Sequence, residues 1–131
     1  MPPQFWRGFD HASMAQMPGP LRAAFVAAAP DPSQVPVRFE KQVALMKSFQ
    51  DIPEAALRAI TAPTLVMVGD RDVMSVEHEA RLARLLPHAA LSVMPGSGHG
   101  TYLGAAEATH PGSALPDLGT ATIEAFLGDR L

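Results

Sequence analysis

Cysteine is absent from this chain. No disulfide framework can form, and a zinc site would have to use histidine and carboxylates alone. Positive charge is also scarce. Ten Lys and Arg stand against thirteen Asp and Glu, giving a formal net charge of −3 and a pI near 5.9. A nucleic-acid-binding domain carries the opposite, basic footprint, so that class is excluded. No run of like charges marks an interaction tail. Long apolar runs are lacking as well. The opening Met-Pro-Pro-Gln-Phe-Trp-Arg-Gly holds no apolar core of signal-peptide length, and the apolar stretch at 23–30 is too short to cross a bilayer. The expectation is a soluble, cytoplasmic protein with neither nucleic acid nor membrane as a partner.

Enough apolar material is present for a core. Hydrophobic residues make up 47% of the 131 and charged ones 18%, which fits one domain or part of one. Thirteen prolines and ten glycines are spread as punctuation, without a repeat or a low-complexity tract.

The chain changes character near residue 61. Before it, Leu21, Ala24, Phe25 and Ala28 sit at helical spacing, and Pro30-Asp31-Pro32 ends that segment. Phe39, Val43, Met46 and Phe49 mark a second amphipathic helix. Pro53 and Glu54 can open a third over 54–60, since proline and acids both suit a first turn. Trp6, Phe9, Met14 and Met17 are read as packing residues, with pocket lining as the minor alternative.

After Pro63 the pattern switches. Thr64-Leu65-Val66-Met67-Val68-Gly69 is a continuous apolar run, which suits a strand covered on both faces of a parallel sheet. Residues 75–86 read as a helix with Val76, Ala80, Ala83 and Leu86 on one stripe. Glu77 and Glu79 stand in its first turns and Arg84 and His88 near its end, in accord with the helix dipole. Residues 90–94 form a second strand, stopped by Pro95-Gly96. The unit is strand–helix–strand with a right-handed crossover. A Gly- and Pro-rich loop follows over 101–117, then a helix over about 118–127 with Ile123 and Phe126 facing the core. Two parallel strands cannot cover both faces of runs this apolar, so the unit asks for more strands than the chain supplies.

Two loops carry chemistry. Gly69-Asp70-Arg71-Asp72 follows the first strand and Gly96-Ser97-Gly98-His99-Gly100 the second. Open α/β sheets build their sites at such carboxyl ends. The order strand, Gly-x-x-Asp, helix, strand, Gly-x-x-His resembles the C-terminal half of an α/β-hydrolase. Position by position, the resemblance makes Asp72 the triad acid, with Asp70 as the fallback, and His99 the triad base. Their separation of 27 positions suits one intervening helix and strand. An imidazole that titrates near neutrality can take a nucleophile's proton and return it, while the acid fixes its tautomer.

The implied fold class is α/β, a partial α/β-hydrolase fold. A helical cap-like segment, 1–60, precedes the C-terminal part of the core, 61–131. The match is good over 62–100 and looser elsewhere. Asp72 is followed by Val73-Met74-Ser75-Val76, whereas many members place a proline shortly after the acid. The loop at 101–117 is also longer than a compact member needs.

The nucleophile elbow, Gly-x-Ser-x-Gly, is missing. None of the serines at 13, 33, 48, 75, 92, 97 and 113 has glycine two residues before and two after. The resemblance therefore implies one part of a hydrolase of an ester, lactone or similar acyl substrate, nearly inactive alone. Its serine and oxyanion hole would come from an upstream region or a serine-bearing partner chain. An aspartate nucleophile, as in dehalogenase-like members, stays open. So does a non-enzymatic binding module whose open sheet edge pairs with a second copy. The resemblance implies no cofactor. His11, His78, His88 and His110 have no partner at ligand spacing, so no metal is expected.

Overall fold

The computed structural model describes residues 3–104 and 110–128. The architecture is mixed α/β, with helices around a two-stranded parallel sheet. The chain divides into two compact units, Met1–Asp51 and Ile52–Leu131. The short helix expected at 54–60 belongs to the second unit.

The first unit holds α1 (Pro3–Gly8), α2 (Gly19–Ala28) and α3 (Val35–Lys47). Pro20 and Pro36 stand in the first turns of α2 and α3, where a missing N–H costs nothing. Phe39, Val43 and Met46 of α3 line an apolar groove of about 250 Å³ together with Phe9, Met17 and Phe25. Phe49 lies beyond the end of α3, and its ring stacks on Trp6 with centroids 5.4 Å apart. The spacing that extended the helical stripe to Phe49 thus reflects an aromatic contact made past the helix end. Val35 is this unit's one fully buried apolar side chain among the described residues.

The second unit opens with α4 (Glu54–Arg58), then β1 (Thr64–Gly69), α5 (Val76–Leu85), β2 (Ala89–Met94) and α6 (Leu115–Gly128). Glu54 pairs with both Arg58 and Arg81, which ties α4 to α5. The strands run parallel, with Val66 opposite Leu91 and Val68 opposite Val93. The N–H of Thr64 donates to the His88 carbonyl at 2.9 Å and that of Asp70 to the Met94 carbonyl at 3.1 Å. Even-numbered residues of β1 therefore aim their backbone groups at β2, and odd-numbered ones at the outer edge.

The expected strands form where the apolar runs lie, because Pro63 and Gly69 bound the first and Pro95-Gly96 ends the second. Coverage of the sheet is unequal. Val66 and Val68 are buried, while Leu91 and Val93 beside them remain 39% and 40% exposed.

Helix α5 begins one residue later than the sequence suggests because Ser75 is its cap. The Ser75 hydroxyl oxygen accepts the His78 N–H at 3.2 Å. Ser75→Ala is expected to cost about 1 kcal/mol. A urea melt of the variant superposing on the wild type would show that α5 does not depend on this cap.

Helix α6 starts earlier than expected because Pro116 fits its first turn, where the Ser113 hydroxyl accepts the Leu115 N–H. Gly119 lets α6 approach the main chain of Tyr102, since a Cβ there would stand 2.1 Å from the Tyr102 carbonyl oxygen. Tyr102 lies in a 3-10 turn, Thr101–Leu103, within the stretch expected to be loop; residues 105–109 of that loop lie outside the described residues. Among the described residues, no helix is long and apolar enough to cross a membrane.

Candidate active site

Each candidate loop leaves the carboxyl end of one strand, so the parallel register carries residues 70–72 and 95–100 to the same end of the sheet. Asp72 turns back at once, its N–H donating to the Gly69 carbonyl at 3.3 Å. Its carboxylate accepts the Met74 N–H, also at 3.3 Å. The Asp72 side chain is only 3% exposed, which fixes it in place.

Asp72 and His99 are brought together. Asp72 Oδ1 lies 2.9 Å from His99 Nδ1. A carboxylate can only accept, so Nδ1 carries the proton, and in the neutral ring the lone pair then lies on Nε2. The imidazole is 73% exposed. The arrangement is a buried acid orienting an open base, with the basic nitrogen available to a group outside this loop pair.

Asp70 does not face the histidine. Its Oδ1 accepts the Ser97 N–H at 3.0 Å, and the Arg71 N–H donates to the Ser97 carbonyl at 3.0 Å. Both backbone groups of Ser97 are thereby held by the first loop. A side chain at residue 69 would prevent this, because a Cβ there would stand 2.1 Å from the Ser97 carbonyl oxygen. Gly96 and Gly100 hold φ of +66° and +69°, so both turns of the histidine loop need glycine.

The N–H of Gly96, ahead of that of Ser97, holds the Asp70 carboxyl below its ordinary range against a smaller opposing effect of burial. A depressed folded-state value means that the stabilisation is present above the unfolded value and lost as pH falls through the folded one. Wild type should therefore lose stability relative to Asp70→Asn as pH drops below about 4. Melting temperatures of both proteins through that range check it; parallel curves would contradict it.

Two side chains near the site escaped the sequence reading. Tyr102 is buried and donates its hydroxyl to the Met67 carbonyl on the outer edge of β1, at 3.1 Å. Burial, then the charges of Asp72 and Glu79, push its phenol above the ordinary value. Glu79, read from sequence as a first-turn acid, is itself buried. A lone tyrosine in a Gly-rich loop and a glutamate on a helix give no sequence signal for either placement.

Among the described residues, no serine hydroxyl is hydrogen-bonded to His99. Each of the seven hydroxyls has a hydrogen-bond partner within three residues of itself. Ser97, nearest in sequence to His99, is 0% exposed and donates to the Gly98 carbonyl. Among the described residues, no group of three His, Asp or Glu side chains could hold a metal ion. Comparison of the chain with family models, curated proteins and solved structures finds no match.

Proposed function

We propose that this chain supplies the acid and the base of an α/β-hydrolase triad acting on an ester, lactone or similar acyl substrate. The nucleophile, a serine in this reading, comes from outside these 131 residues. The observation that carries the reading is the 2.9 Å contact between buried Asp72 and exposed His99, on adjacent loops at the carboxyl end of a parallel sheet. His99 Nε2 takes the serine proton as oxygen attacks the acyl carbon, then gives it to the leaving alcohol. Asp72 holds the tautomer and stabilises the imidazolium formed in between.

The half-open sheet agrees with this reading. Leu91 and Val93 lack cover that a larger α/β layer would provide. The covalent step belongs to the serine, so the isolated chain should hydrolyse activated esters no faster than free imidazole. Enzymatic turnover by the chain alone, abolished in His99→Ala, would overturn the division of labour.

The same exposed strand favours a second reading, a binding module that completes its sheet with another copy. Uncovered edges invite pairing. A monodisperse dimer with one cooperative melt in sedimentation and calorimetry supports the module. A chain that aggregates or melts without cooperativity supports the hydrolase part.

A further inference from the structure

We infer that Asp70 is a positioning residue for the Asp72–His99 pair, holding the histidine loop in register through the Ser97 peptide. This rests on the hydrolase reading of that pair. The imidazole is 73% exposed, so packing does little to orient it. An exposed side chain gains little from one polar contact, because ordering it offsets most of the attraction. The pairing must therefore be set by the backbone that carries the ring.

That backbone is fixed on both sides. The Asp70 carboxylate accepts the Ser97 N–H at 3.0 Å, and the Arg71 N–H donates to the Ser97 carbonyl at the same distance. The clasp sits between the last rung of the sheet, Asp70 N–H to the Met94 carbonyl at 3.1 Å, and the acid–base contact two residues farther along each loop. Ser97 is wholly buried beneath it. Of the bonds to the Ser97 peptide, only the one from Asp70 is made by a side chain. It is the one that substitution can remove.

The test is the tautomer of His99, read by side-chain 15N NMR at a pH well above the ordinary imidazole range. Wild type should show the proton on Nδ1. Asp72→Ala should return the ring to the Nε2–H form that free imidazole side chains favour. Asp70→Ala, with Asp72 and His99 both intact, should lower the Nδ1–H to Nε2–H ratio about tenfold, the worth of one charge-assisted hydrogen bond. Asp70→Asn keeps a neutral acceptor and should fall between the two. A merely structural role would lower stability in Asp70→Ala and leave the tautomer of the folded protein unchanged, and that result overturns the inference. If the alanine variant does not fold, Asp70→Asn decides, an unchanged ratio being the contrary result. Wild type in the Nε2–H form would instead refute the Asp72–His99 pairing itself.

Discussion

In the serine-bearing enzyme proposed above, His99→Ala is expected to lower kcat by roughly 10⁶-fold, and Asp72→Asn by roughly 10⁴-fold. The difference follows from the two roles. Without the imidazole no group removes the serine proton. Without the carboxylate the ring persists but turns to the wrong tautomer, since an amide can donate to Nδ1 where the carboxylate could only accept. The double variant should be no worse than His99→Ala, because an acid that acts through the base has nothing left to orient. Asp70 faces Ser97, so Asp70→Asn should retain far more activity than Asp72→Asn. Single-turnover rates with an activated ester separate these cases. Equal losses at 70 and 72 would mean that the acid has been wrongly assigned.

Gly69→Ala should be the most damaging small substitution in the second unit. The methyl group would stand 2.1 Å from the Ser97 carbonyl oxygen, 2.7 Å from its carbon and 3.1 Å from the Gly98 carbonyl oxygen. All three are backbone atoms, and no side-chain rotation relieves them. Gly69 is not in the left-handed region, so the contact alone carries the cost. Forcing the loops apart breaks the Ser97 clasp, and the destabilisation is expected to be about 3 kcal/mol. Two other glycines calibrate it. At Gly98 an added Cβ would meet the Thr101 hydroxyl at 3.6 Å and the Arg71 carbonyl oxygen at 3.9 Å, both ordinary contacts, so Gly98→Ala should be nearly neutral. At Gly96 nothing lies within 4 Å but φ is +66°, so alanine should cost about 1–2 kcal/mol from the backbone alone. Denaturant melts should show the largest loss in Gly69→Ala, a smaller one in Gly96→Ala and the smallest in Gly98→Ala. A Gly69→Ala protein as stable as Gly98→Ala would mean that the loops are not in contact.

The strand–helix–strand unit was legible because its signals are local. Pro63, Gly69 and Pro95-Gly96 bound the apolar runs, and Ser75 opens α5. The meeting of Asp72 with His99 was anticipated from the family pattern, and parallel register supplies its geometry. What was not legible depends on contacts between distant segments. Asp70 and Asp72 are chemically alike and two residues apart, and nothing local says that one clasps a peptide while the other orients a ring. Phe49 fits the α3 stripe by spacing yet belongs to an aromatic stack beyond the helix. Glu79 suits a first turn and an exposed face equally well, and nothing local announces its burial. The missing elbow, by contrast, was plain, because an absent Gly-x-Ser-x-Gly needs no structure to detect.

If Asp72 and His99 serve a nucleophile carried outside these residues, a fluorophosphonate probe will label it. The native species containing this chain is isolated from its source, treated with the probe, and its intact mass and labelled peptide are determined. The expected result is a species larger than 13.9 kDa, or a stoichiometric complex, labelled on a serine that is none of the seven here, with labelling lost in His99→Ala. A native 13.9 kDa protein that takes no label and carries no serine-bearing partner would contradict it.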